Sequence, residues 1–144
     1  MIELTNPLQI ELPSRPESVT EARHAIAAYA QSQGADSEGI ALAVSEAVTN
    51  AVVHAHAGGP KRPIRVTAYL NGDAVVVSVE DEGVGIKGRA GGDRLGLGLA
   101  LMAAVADSMA IESKHEGGTR VVMRFRWPID SRYELSPNGQ PMSR

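Results

Sequence analysis

Glu46, Asn50 and His54 stand four residues apart in SEAVTNAVVHAH, residues 45–56, a segment otherwise built largely of alanine and valine. A helix advances about 100° per residue, so the three drift by only about 80° in all and share one side. Ile40, Val44, Ala47, Val48 and Ala51 form the adjacent apolar side. The polar stripe therefore borders the face that must be buried, where it can line a cleft. Asparagine offers an oxygen to a hard cation such as magnesium, which keeps several waters and shares phosphate oxygens. One turn earlier, a glutamate can take the proton from a hydroxyl or water that attacks a phosphate. His54, close to the helix C-terminus, can simply favour the helix dipole. The same residue types also decorate ordinary surface helices, so the chemistry depends on what the rest of the chain supplies.

Two later segments bear on it. In EDEGVGI, residues 80–86, Asp81 directly follows an apolar strand and is itself followed by Gly83 and Gly85. A carboxylate there can accept a hydrogen bond from an exocyclic amine such as that of adenine, and glycines let the backbone lie flat beside a ring. An ordinary acidic turn has the same composition. In RLGLGLALM, residues 94–102, Gly96 and Gly98 open a helix, where unpaired backbone amides and the positive dipole end attract phosphate. Arg94 just upstream can add charge-assisted hydrogen bonds. The segment lacks the lysine-serine signature of a P-loop, and it lacks the strand-helix-strand context of a dinucleotide fold.

The elements that must position these residues are legible from periodicity and punctuation. An edge strand ends at Pro13. PESVTEARHAIAAYAQSQG, residues 16–34, places Pro16 near a helix start and Gly34 at its stop. Asp36 can cap a second helix running to about His56, before the breaker AGGP. IRVTAYL, NGD and AVVVSVE predict a strand, a tight turn and a strand, with Asn71 and Gly72 supplying the positive φ angles of a short hairpin. A glycine-led helix follows the glycine loop, and AIESKHEGGTRVVMRFRW, residues 110–127, predicts two more strands around its glycine pair. Phe125 and Trp127 are expected to pack at the sheet end. The order predicts an α+β fold, a two-layer sandwich with a mixed, mostly antiparallel sheet and helices on one face. Residues 1–127 form the expected domain and 128–144 an expected flexible tail.

Composition narrows the function classes. A chain of 144 residues suits one compact domain, and with aromatics at 3% its core must be aliphatic. A net charge of -3 argues against a general nucleic-acid binder. The absence of cysteine excludes disulfides, thiolate nucleophiles and cysteine-ligated zinc. His54, His56 and His115 assemble no zinc pattern, and no metal beyond magnesium is expected. No basic-then-apolar leader opens the chain, and nothing approaches the roughly 20 apolar residues of a membrane span, so a soluble cytoplasmic protein is expected.

Taken in order, EAVTNAVVHA, DEGVGI, GLGLALM and GGTRVVMRF resemble the four boxes of the ATP-binding domain shared by gyrase, the heat-shock chaperone, histidine kinases and MutL. The resemblance spans about residues 40 to 125. Within that superfamily, VSEAVTNAVVHA preceded by a short helix is most similar to the bacterial anti-sigma-factor serine kinases. Those proteins bind a sigma factor and, with ATP and magnesium, phosphorylate a serine on an anti-anti-sigma partner. The resemblance implies Glu46 as general base and Asn50 as magnesium ligand. It implies Asp81 on adenine with Gly83 and Gly85 beside it, Thr119 contributing a hydroxyl nearby, and Arg94, Gly96 and Gly98 on the phosphates. It also implies that the first strand and helix serve dimerisation or partner docking.

One departure from that pattern lies between Ile86 and Gly96, where only KGRAGGDRL intervenes, a lid about half the length usual in that family. Lids exclude water and complete phosphate sites. Two further readings therefore stand beside the kinase. One is a nucleotide-gated module that holds a regulator and transfers no phosphate. The other is a histidine-kinase-like domain phosphorylated on His24, for which the first helix offers no helical bundle.

Overall fold

The computed structural model describes residues 7–55, 62–82, 100–114 and 117–126. Strand β1, Leu8–Leu12, leads into helices α1, Glu17–Ser32, and α2, Ser37–Ala55. The hairpin of β2, Ile64–Asn71, and β3, Ala74–Asp81, follows, and the last described elements are β4, Ser108–Ser113, and β5, Thr119–Arg126. Residues 100–105 are helical. The five strands form one sheet in the order β1-β2-β3-β5-β4, and all four pairings are antiparallel. The expected α+β sandwich is therefore present, with β5 inserted between β3 and β4.

Local sequence explains both helix boundaries. Pro16 precedes the first turn of α1, where a missing N–H costs nothing. At the far end Gly34 takes φ 76°, its N–H donating to Gln31 O at 2.9 Å and the Ala35 N–H to Ala30 O at 2.8 Å. Those two bonds are the paired closure of a Schellman motif, which a β-carbon at Gly34 would oppose. Asp36 then caps α2, its Oδ1 accepting from the Gly39 N–H at 3.3 Å.

The sheet has two unlike faces. Ile64, Val66 and Ala68 of β2, Val75, Val77 and Val79 of β3, and Met123 and Phe125 of β5 are buried on the helix side. Ile26 of α1 and Ile40, Val44 and Val48 of α2 close over them in one aliphatic cluster. Each of the valine, isoleucine, methionine and phenylalanine side chains contributes about 1.5–3 kcal/mol of burial, which is why a core with so few aromatics suffices. Phe125 lies in this core, and Trp127 is outside the described residues.

One turn differs from expectation. Asn71, the last residue of β2, pairs with Ala74, the first of β3, leaving Gly72 and Asp73 as the two-residue loop. Gly72 has φ 62°, and among the described residues no non-glycine has positive φ. A loop with glycine first needs only one such angle, so Asn71 is free to continue β2.

Candidate functional site

The α2 helix is buried almost all round, and its outward stripe is short. Leu42 (45% exposed) and Val53 (37%) lie on that stripe, with half-buried Glu46 and Thr49 between them. Residues 42, 46, 49 and 53 fall within about 60° of one another around the helix. Ser45 and Thr49 return their hydroxyls to Ala41 O at 2.8 Å and Ser45 O at 2.7 Å, so neither needs an outside partner. Glu46 opens onto a groove of about 530 Å³ between α1 and α2, which Arg23, His24 and Leu42 also line. One turn on, Asn50 is 9% exposed and faces inward. The helix thus holds two oxygen-bearing side chains one turn apart, one reachable from the groove and one covered. His54 lies in the last turn, and its side chain is outside the described residues.

Asp81 and Thr119 lie far apart in the sequence and face each other directly across the β3–β5 pairing. Asp81 is 5% exposed and Thr119 2%. Directly opposed antiparallel residues share a face with Cβ atoms roughly 5 Å apart. The carboxylate and the hydroxyl therefore present one donor-acceptor surface on the helix side of the sheet, the side against which α2 packs.

Gly118, absent from the sequence-based set of site residues, shapes this pair. At φ 102°, a β-carbon on it would stand 2.1 Å from the Asp81 carbonyl oxygen and 2.8 Å from Glu82 Cα. Only glycine permits this approach between the β4–β5 turn and the end of β3. The doubled glycine of residues 117–118 was the signal in the sequence. Gly83, Gly85, Arg94, Gly96 and Gly98, and with them the short segment 87–95, lie outside the described residues, as do His56 and His115.

The sequence from residue 12 to residue 125 matches the model of the histidine kinase-like ATPase domain. The chain belongs to that family. Relatives of this histidine kinase-like ATPase domain from several clostridia carry the name anti-sigma F factor. The one from Clostridium beijerinckii is 31% identical over 88% of this chain and 98% of its own. The one from Clostridium novyi is 28% identical over 83% and 93%. Among solved structures, the RsbU and RsbW domains of a Mycobacterium tuberculosis protein superpose with a TM-score of 0.69 at 31% identity, covering 85% of this chain. The match takes up about a third of that longer chain, 33% of its length.

Membership of an ATPase family implies ATP as the ligand, and the described residues fit an adenine nucleotide. Asp81 supplies an acceptor for an amine, and Thr119 a hydroxyl beside it. Among the described residues no group of three or more His, Cys, Asp or Glu side chains is placed to hold a metal. A single covered amide oxygen, that of Asn50, suits a magnesium ion that is carried largely by phosphate oxygens and water rather than caged by protein.

Proposed function

We propose that this histidine kinase-like ATPase domain is an ATP- and magnesium-dependent anti-sigma factor and a protein serine kinase. Its partners are then a sigma factor and an anti-anti-sigma protein whose serine it phosphorylates in a partner-switching pathway in the cytoplasm. The two clostridial relatives and the RsbW-containing neighbour support the sigma-factor arm. No described helix is long and apolar enough to cross a membrane. The outer edge of β1, which pairs with no further strand among the described residues, offers a surface for a homodimer.

The observation that carries the kinase arm is the contrast between Glu46 and Asn50 on one helix. A general base for an incoming protein hydroxyl must be reachable from outside, and a ligand of the nucleotide's metal must be shielded. Glu46 opens onto the α1–α2 groove and Asn50 is covered one turn away. In the proposed step Glu46 takes the proton of the serine hydroxyl as its oxygen bonds to the terminal phosphorus. The bond from that phosphorus to its bridging oxygen breaks, and ADP leaves with the electron pair. Asp81 and Thr119 hold the adenine, with Gly83 and Gly85 beside it, and Asn50 fixes the magnesium. Arg94, Gly96 and Gly98 bind the phosphates. Magnesium, when bound, neutralises the charge that develops between the two terminal phosphates.

The test is transfer from labelled ATP to the cognate partner by the wild type and by Glu46→Gln. The proposal expects phosphoserine from the wild type, with Glu46→Gln slower by about 10²–10⁴ at unchanged ATP affinity. Equal rates would remove Glu46 from the mechanism. No transfer by either, with ATP still bound, would leave the nucleotide-gated binding module, the reading that the nine residues between Ile86 and Gly96 favour.

A further inference from the structure

The open face of the sheet carries a row of alternating charge across all five strands. Glu11, Arg65, Glu80, Arg120 and Glu112 are successive register partners on β1, β2, β3, β5 and β4. At the β1 edge the row is solvated: Arg65 and Glu11 pair at 3.0 Å with 51% and 58% of their side chains exposed. Such pairs add little stability. The hydrogen bond to Glu11, and then the charges of Glu11 and Glu80, push the Arg65 guanidinium above its ordinary value.

The centre of the row is different. Glu80 is only 13% exposed, and its Oε1 accepts from Arg120 Nη2 at 3.2 Å and lies 3.5 Å from Lys114 Nζ. Lys114 is itself 18% exposed and belongs to the β4–β5 turn, where its N–H donates to Gly118 O at 3.1 Å. The same turn presses Gly118 against the Asp81 carbonyl. The end of β3 is therefore gripped from two directions. On the open face Glu80 is tied to the turn by Lys114 and to β5 by Arg120, and the Asp81 backbone is met by Gly118.

Successive strand residues point to opposite faces, so whatever fixes Glu80 also fixes the direction of Asp81. Without the Glu80 charge β3 would lose both ties: the nearly covered Lys114 would lose the Glu80 carboxylate, and Arg120, 43% exposed, would keep only its pairing with Glu112 of β4 at 3.6 Å, so the turn would part from β3. We infer that Glu80, held by Lys114 and Arg120, is a positioning residue for base recognition, keeping Asp81 in register with Thr119 so that the pair meets the adenine ring. The inference rests on Asp81 as the acceptor of the adenine amine.

The test measures, by calorimetry with magnesium, the Kd of ATP and of ITP on the full chain. ITP carries a carbonyl oxygen where adenine carries its amine, so the ratio Kd(ITP)/Kd(ATP) isolates base recognition from phosphate binding. The wild type is expected to favour ATP by roughly tenfold or more and Asp81→Asn to bring the ratio near one. Glu80→Gln is expected to lower the ratio at least about threefold while ITP affinity stays within about twofold. Lys114→Met, which keeps the Glu80–Arg120 pair, should lower it less, and it carries the test where Glu80→Gln fails to fold. A merely structural role would weaken both nucleotides equally or lower the melting temperature alone. The wild-type ratio in folded Glu80→Gln, or in Lys114→Met where that variant carries the test, would overturn the inference. A wild-type ratio near one, or a ratio that Asp81→Asn leaves unchanged, would instead overturn the adenine assignment of Asp81 and the inference with it.

Discussion

Asp81 and Thr119 are register partners across the centre of the sheet, both buried, one the last residue of β3 and the other the first of β5. The pair joins two segments that the sequence presents separately, an acidic strand end and a residue after two glycines. In the proposed function the surface that meets the base is thus made by strand pairing, so it is sensitive to anything that shifts β5 against β3.

Thr119→Val keeps the shape and removes the hydroxyl. ATP affinity is expected to fall by about threefold to tenfold, the size of one neutral hydrogen bond. Thermal stability should change by less than about 1 kcal/mol if the partner groups reach water. Calorimetry and a melting curve on the same preparation measure both. Undiminished affinity would take Thr119 out of the adenine pocket.

Gly118→Ala places a β-carbon against the Asp81 carbonyl at a positive φ. Strain and overpacking together should cost roughly 2–4 kcal/mol in urea unfolding. Because the strain falls on the Asp81 backbone, the surviving folded protein should also bind ATP more weakly. Stability and affinity both at the wild-type level would show that the turn relaxes away from β3.

Tyr29 places a buried hydroxyl that has no hydrogen-bond partner among the described residues, and burial raises its pKa above the ordinary 10.0. The folded state therefore holds the phenolic proton more tightly than the unfolded chain. That contribution is fully present below about pH 10 and is lost as pH rises through the folded value. Melting temperatures should fall above pH 10 in the wild type and fall less in Tyr29→Phe. At neutral pH the same variant should be unchanged or more stable by up to about 1 kcal/mol, because an unpaired buried hydroxyl is removed. A Tyr29→Phe protein destabilised by more than that would mean the hydroxyl is bonded.

Asp36→Ala removes the acceptor for the Gly39 N–H at the start of α2. A loss of about 1 kcal/mol is expected in denaturant unfolding. ATP affinity should be nearly unchanged, since the Asn50 turn lies more than three turns further along the same helix. A large loss of affinity would show that α2 slides as a unit.

Much of this protein was legible from local pattern. The Pro16 start and Gly34 stop of α1, the Asp36 cap and the strands around Gly72 depend on residues within a few positions of one another, and the folded chain keeps them. The turn at residues 71–74 went differently because strand pairing drew Asn71 into the ladder and left glycine alone to take the positive φ. Helical spacing likewise placed Glu46 and Asn50 on one side of α2. It did not tell which of the two is reachable, because that depends on where α1 lies.

By itself the sequence determined the order of elements and the polar stripe on a helix built to be buried, since these follow from short-range propensity and from apolar periods of 3.6 and 2, and four motifs in order carried the family resemblance. The tertiary structure alone decided that Asp81 faces Thr119, that Glu80 is nearly covered between Lys114 and Arg120, and that Glu46 opens onto the α1–α2 groove while Asn50 is covered. Strand order and register are fixed by the total burial of a whole face. A shift of one residue along β5 would turn Thr119 and Arg120 to the opposite sides of the sheet, and no local stretch of sequence contains that sum.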